Sequence, residues 1–361
     1  MKKNQSNRVV LIMAGGKGER FWPKSTENKP KQLQKIYSSK TLLEETYERA
    51  KLITDSKKIY IGCNEALKKQ ILKFTKIHKD QFIVEPIGRN TAPIIALATL
   101  VLEEKYPNAV YVVLSADHYI SPIDEFKKTI ETAIQVAEKD YLVTCGVVPS
   151  RPEIGYGYIQ KGQRIEDHVY EVTQFHEKPE LPKALEYLKK GFYWNSGIFI
   201  WTGSAIRNEF EKNAKEIWDP IKDNFKNPTQ LKKVFPTIPD KPIDIAIMEK
   251  ANKIAVVEST FVWDDVGTWL SLERIYNSQK QFQDEKQNIT ILSKKADFYS
   301  YESFNNIIVG ESEKLFSLLG VENCILVETK DVIFLAKKDK IDSIKNMLKE
   351  IKNYPHLLKY L

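Results

Sequence analysis

A glycine-rich run with charged neighbours, Ala14-Gly15-Gly16-Lys17-Gly18-Glu19-Arg20-Phe21-Trp22-Pro23, follows directly on the apolar segment Val9–Met13, and Lys29-Pro30-Lys31-Gln32 comes soon after. Glycines just past a buried strand let backbone N–H groups approach an anion, and Arg20 and Lys31 add charge suited to a polyphosphate. This is a phosphate loop, but not a P-loop, because GxxxxGK[ST] is absent. It also fails GxGxxG, because Phe21 stands where the third glycine would be. A second segment, Val112–His118, ends a predicted strand with Asp117, a carboxylate able either to hold Mg2+ against phosphate oxygens or to cap the turn before Ser121. In Phe261–Trp269 two acids, Asp264 and Asp265, stand between tryptophans. They read either as the rest of a metal site, one acid inward and the other in solvent, or as a plain helix start.

Three further segments suit a sugar phosphate. Glu177 in Phe175-His176-Glu177-Lys178-Pro179 and Asn195 in Trp194-Asn195-Ser196-Gly197-Ile198 can hydrogen-bond sugar hydroxyls, and Lys178 can meet a monoester phosphate as a point charge. Gly155-Tyr156-Gly157-Tyr158 is a flexible edge along which backbone can lie against a sugar ring. Each segment taken alone also reads as a surface turn; their joint presence is the signal.

The elements that must position these groups follow from hydrophobic patterning. Buried strands are predicted at Val9–Met13, Lys57–Cys63, Phe82–Glu85, Val110–Ser115 and Leu142–Val148, with helices at Thr41–Ile53, Glu65–Phe74, Ala92–Lys105 and Pro122–Glu138. Thr41 with Glu44 reads as a capping box, and Ser121-Pro122 as a cap followed by proline at the first helical position. Repeated βα order implies a mostly parallel, doubly wound sheet, with ligands beyond the carboxyl ends of its strands. From Arg151 to Gly267 the pattern is mixed, with strands at Tyr156–Gln160, Val169–His176, Gly197–Trp201 and Lys253–Glu258, and reads as insertions on the same core. After a helix at Thr268–Ser278, short strands (Ile307–Val309, Ile325–Glu328, Val332–Ala336) and a lysine-rich helix from Ile341 form a small β-rich module. The predicted division is 1–284 and 285–361, with no evident repeat.

With 361 residues, 42% of them hydrophobic, the chain can bury one large core and a smaller one. The net charge of +7 comes from 55 Lys+Arg against 48 Asp+Glu, and only 8 of the bases are Arg, spread singly. A diffuse lysine surface of this kind argues against nucleic acid as a partner. Cys63, Cys145 and Cys324 are odd in number and lack a CxxC pair, so neither a disulfide framework nor a zinc site is expected. No apolar run approaches the ~18 residues of a membrane span. A soluble, cytoplasmic protein is the expectation. A nicotinamide oxidoreductase is disfavoured by the missing third glycine and by the lack of an acidic residue ~20 positions on.

In order and spacing, GGKGERFWP with KPKQ, EPIGRNTAPI (Glu85–Ile94), VLSADH (Val113–His118), GYGYI, FHEKP, NSGIF and WDDVGTW resemble the sugar-nucleotidyltransferase family, specifically its mannose-1-phosphate guanylyltransferases. The resemblance covers about residues 8–340. It implies a Rossmann-like core with a short left-handed β-helix-like C-terminal module, and transfer of GMP from GTP to mannose 1-phosphate with Mg2+. Carried over by position, it places the pyrophosphate loop on Gly15, Gly16, Gly18 and Arg20, and the phosphate-stabilising lysine on Lys31. Base recognition falls on Glu85, Arg89, Asn90, Thr91 and Pro93. The metal carboxylates fall on Asp117 and Asp265, with Asp264 left in solvent. Sugar contacts fall on Gly157, Glu177 and Asn195, and the sugar phosphate on Lys178. A homodimer is expected, with no membrane or nucleic-acid partner. Phe21 replaces the family's usual leucine, and Lys24-Ser25-Thr26 replaces its common Leu-Ser-Arg. The rival reading within the fold is a non-catalytic regulatory subunit that binds sugar nucleotide.

Overall fold

The computed structural model describes residues 7–16, 18–279 and 285–361, so Lys17 and the predicted boundary residue 284 lie outside the described residues. The chain forms two compact units. One comprises Met1–Gly15, Glu44–Ala116 and Ile120–Trp263, the other Gly16–Leu43, Asp117–Tyr119 and Asp264–Leu361.

The strands up to Asp264 are β1 (Arg8–Met13), β2 (Ile59–Asn64), β3 (Phe82–Glu85), β4 (Val110–Ser115), β5 (Tyr119–Ser121), β6 (Leu142–Val147), β7 (Gly157–Glu166), β8 (Val169–His176), β9 (Tyr193–Thr202), β10 (Ile254–Glu258) and β11 (Val262–Asp264). Nine of them form one sheet in the order β3-β2-β1-β4-β9-β6-β10-β8-β7. The apolar runs of β1, β2 and β4 pair in parallel, as near-continuous Val/Ile/Leu segments buried on both faces do. Met13 stands opposite Ser115, and the Ala116 N–H donates to the Met13 carbonyl at 3.0 Å. The glycine loop and Asp117 therefore start from neighbouring strand ends. β9 runs antiparallel between β4 and β6, and β7 and β8 are antiparallel additions, so the sheet is mixed around a parallel core.

Helix Thr91–Lys105 is apolar nearly all round, with ten buried residues, as expected of a helix covered on more than one side. Helix Ile123–Ala137 corrects one expectation. Pro122, not Ser121, occupies its cap position, and no side chain caps it. Asp124 and Glu125 in its first turn complement the helix dipole instead.

The second unit carries β12 (Ile289–Leu292), β13 (Asp297–Tyr301), β14 (Ile307–Gly310), β15 (Leu315–Leu319), β16 (Cys324–Glu328) and β17 (Ile333–Lys337). β12, β14 and β16 stack in parallel with Ile289, Ile307 and Ile325 in register, while β13 pairs with β15. These are coils of a short β-helix. They advance 18 residues at a time, so an internal repeat is present after all: the Asn306 N–H donates to Asn288 Oδ1, and the Cys324 N–H to Asn306 Oδ1, each across 18 residues. Ile289, Ile307 and Ile325 share one core with Phe21, Trp22, Trp269, Ile344 and Leu348. The segment behind the glycine loop is thus packed into the β-helix core. No helix among the described residues is long and apolar enough to cross a membrane.

Candidate active site

The second unit gathers the charged groups. Gly18 has φ +66°, and a Cβ there would lie 2.3 Å from the Lys31 Cβ, so only glycine lets the loop turn this close to the lysine. Phe21 is fully buried, 4.9 Å from Trp269 between ring centres, with the Lys31 ammonium 5.7 Å from the Phe21 ring. Trp22 is anchored twice: its indole N–H donates to the Tyr360 carbonyl at 2.8 Å, and its own carbonyl accepts from the Trp269 indole at 3.2 Å. The departure at Lys24 has its own fastening, because the ammonium reaches Glu311 at 3.3 Å although burial lowers its pKa. Arg20, one residue before Phe21, is exposed.

Lys31 is 8% exposed and donates to Asp117 Oδ2 at 2.6 Å and to the Asp265 carbonyl at 3.0 Å. Lys31 therefore joins the carboxylate of Asp117 to the main chain of Asp265. Asp265 is fixed by an Asx turn in which the Gly267 N–H donates to its Oδ1 at 3.0 Å. Val266 beside it sits at φ +48°, a strained conformation for a β-branched residue of the kind that collects at functional sites. Among the described residues no group of three or more His, Cys, Asp or Glu could hold a metal ion. A divalent cation held by only one or two carboxylates would take its remaining ligands from phosphate oxygens and water.

Asp264 corrects an expectation. It is 4% exposed rather than in solvent, accepts two bonds from Arg274 at 2.6 and 3.1 Å, and takes the Val266 N–H at 2.8 Å. The inward acid is a structural one, neutralised ten residues along the chain.

In the first unit, Glu85 ends β3 and is 8% exposed. Burial pushes its carboxyl up to about 7, against a backbone N–H bond from Arg89 that pulls it down, and the charge of Asp240 adds to the rise. Its Oε2 is buried without a hydrogen-bond partner, an acceptor in need of a donor. The loop beyond it is pinned to one later segment. Arg89 donates to the Pro236 carbonyl, the Ala92 N–H to the Lys241 carbonyl at 3.1 Å, and the Ile243 N–H to Thr91 Oγ1 at 2.7 Å. Asn90 caps the following helix through the Thr91 N–H, with Pro93 in its first turn.

The predicted sugar contacts also converge. A Cβ on Gly157 would lie 2.7 Å from Glu177 Oε2 and 3.2 Å from the Asn195 Cβ, so the three residues share one small space. Lys178, at φ +47°, pairs with Glu177. Asn195 Oδ1 accepts from Thr144 Oγ1 at 2.9 Å and from the Gly197 N–H at 3.1 Å, while Nδ2 donates to Asp244 Oδ1 at 2.9 Å. Sequence reasoning missed Asp244, Thr144 and Arg274. Only Asp244 left a signal, as a lone acid in the apolar run Ile243-Asp244-Ile245-Ala246-Ile247-Met248.

Residues 9–281 match the family model described as nucleotidyl transferase, and 300–351 the one described as MannoseP isomerase/GMP-like beta-helix domain. The mannose-1-phosphate guanylyltransferase RfbM of Salmonella typhimurium is 34% identical over 95% of this chain and 72% of its own. A mannose-1-phosphate guanylyltransferase of Klebsiella pneumoniae is 35% identical over 95% of this chain and 74% of its own. A solved structure described as mannose-1-phosphate geranyltransferase, from Thermus thermophilus, superposes with a TM-score of 0.86 at 28% identity, over 96% of this chain and 99% of that one. With two relatives above 30% identity and the nucleotidyl transferase model spanning most of the chain, the protein belongs to the mannose-1-phosphate guanylyltransferase family of nucleotidyl transferases.

Proposed function

We propose that the protein transfers GMP from GTP to α-D-mannose 1-phosphate, giving GDP-mannose and pyrophosphate. The observation that carries this reading is the buried Lys31 ammonium held on Asp117 and on the Asp265 carbonyl beside the glycine loop. A phosphate oxygen of the sugar 1-phosphate bonds to the α-phosphorus of GTP in line, the bond from that phosphorus to the bridging oxygen of the β-phosphate breaks, and pyrophosphate leaves. A phosphate monoester is already anionic near neutral pH, so the chain needs no general base. Its own work is positioning and charge neutralisation by Arg20 and Lys31 at the triphosphate and by Lys178 at the sugar phosphate. Gly15, Gly16 and Gly18 offer backbone N–H groups to the pyrophosphate portion. Gly157, Glu177 and Asn195 take the sugar. Asp117 and Asp265 would hold a divalent cation, Mg2+ in our assignment, which when bound neutralises phosphate charge.

Glu85 supports guanine as the base. A buried carboxylate with an unpaired oxygen suits the ring N–H and 2-amino donors of guanine, and Arg89, Asn90, Thr91 and Pro93 shape the loop beside it. Glu85→Gln is therefore expected to lower kcat/KM for GTP about 100-fold, and for inosine triphosphate, which lacks the 2-amino group, by much less. Equal losses for the two nucleotides would count against this role. Glu85 also makes stability pH-dependent. The folded protein binds its proton more tightly than the unfolded chain, so stability falls as pH rises from 4.5 to about 7. In Glu85→Gln thermal unfolding should lose that part of the decline.

We also propose a catalytic domain of residues 1–284 with a module of 285–361, a homodimer, and a cytoplasmic site of action. The gap between the two family matches, 281 to 300, supports the division. Exposed Tyr299, Tyr301, Leu315 and Leu319 on β13 and β15 support self-association, and free Cys63, Cys145 and Cys324 support a reducing compartment.

A further inference from the structure

Asp244 opens a single wide turn, Asp244–Met248, closed by the Glu249 N–H donating to the Asp244 carbonyl five residues back at 2.9 Å. Such turns recur at functional sites. Its carboxylate accepts from Asn195 Nδ2 at 2.9 Å. Asn195 Oδ1 takes Thr144 Oγ1 and the Gly197 N–H, so the amide turns Nδ2 to Asp244, which holds that end, and Nδ2 keeps one N–H to give. Five residues on, Glu249 Oε1 accepts the Glu177 N–H at 3.3 Å, so the same turn also holds the loop that carries Glu177 and Lys178.

We propose that Asp244 is a positioning residue for the sugar phosphate: it holds the donor face of Asn195 and, with Glu249 on the same turn, the loop that carries Glu177 and Lys178, and its own charge state tunes how well that loop accepts the anionic substrate. This rests on the sugar-side reading given above. The charged groups that face it are Glu177, which disfavours its ionisation, and Lys178, which favours it. Loss of hydration in its partly buried setting is the largest influence, and with the charge of Glu177 it pushes the carboxyl up to about 7, against Lys178 and bonds from backbone and from Asn195 that pull it down. Below that pH the group is neutral. Above it, a carboxylate joins Glu177 beside the phosphate and weakens binding.

The test compares wild type, Asp244→Asn and Asp244→Leu in full-length protein. Wild-type KM for mannose 1-phosphate should rise about tenfold from pH 6 to 8.5, with the KM for GTP changing much less. Asp244→Asn, uncharged at every pH and still able to accept from Asn195, should lose most of that rise. Asp244→Leu removes the acceptor and should raise the sugar-phosphate KM about tenfold at pH 6, with the GTP KM within about twofold. A rise in Asp244→Asn as steep as in wild type would overturn the proposal, as would equal changes in both KM values in Asp244→Leu. The carboxyl can also be followed without turnover, as the 13C carboxyl signal that Asp244→Asn lacks. A midpoint near 7 supports the proposal and one below 5 overturns it. A wild-type protein that titrates near 7 yet turns over no hexose 1-phosphate would instead count against the reading of the reaction.

Discussion

Asp265→Asn is expected to lower kcat about a thousandfold while leaving the melting temperature within a few degrees, and Asp264→Asn to do the reverse. The two acids are neighbours in sequence and differ in surroundings. Asp264 is closed in by Arg274 at 2.6 Å and by the Val266 N–H, so its charge is already spent inside the fold. Removing one partner of a pair so nearly buried costs about 2–4 kcal/mol, with little direct effect on the phosphates. Asp265 is half-buried, its Oδ1 is held by the Gly267 N–H, and its carbonyl carries Lys31. In the proposed role its carboxylate holds the divalent cation. Thermal unfolding and kcat measured on both variants decide the matter. Equal kinetic damage, or a kinetic loss confined to Asp264→Asn, would reverse the assignment.

Lys31→Met should lower kcat about 100-fold or more, because it removes a preorganised charge at the phosphates while keeping the length of the side chain. Lys31→Arg should not restore activity. The Gly18 backbone lies against Lys31 closely enough that a Cβ on Gly18 would be 2.3 Å from the lysine Cβ, leaving little room to swing a wider planar group onto the same two acceptors. Steady-state kinetics with the pyrophosphate-forming assay check both variants. Recovery of near-wild-type kcat by arginine would show that only charge, and not its placement, is required.

Much of the fold was legible where burial is two-sided. β1, β3 and β4 end close to where their apolar runs end, and the glycine run, the Arg89–Pro93 segment and Asp117 follow them in turn. β9 begins at Tyr193, four residues before the expected Gly197, because Asn195 and Ser196 are buried within the strand: Asn195 binds Thr144, and Ser196 the Cys145 carbonyl. Polar residues whose bonds are made by distant chain look like a turn in the sequence. The 18-residue β-helix period was hidden for a similar reason. The repeat is carried by Asn288 and Asn306 and by the isoleucines that follow them, but the third coil has Cys324 in the asparagine position. Asp264 and Asp265 could be recognised as a pair, but not sorted, because Arg274 lies ten residues on and its direction is a property of the fold.

The most direct test of the proposed reaction is pyrophosphate release by the purified protein across the four ribonucleoside triphosphates and mannose, glucose and galactose 1-phosphates, with Mg2+. GTP with mannose 1-phosphate should exceed every other combination by at least about tenfold in kcat/KM, with GDP-mannose as the matching product and no release after chelation of the metal. Preference for another nucleotide, or equal use of glucose 1-phosphate, would contradict it.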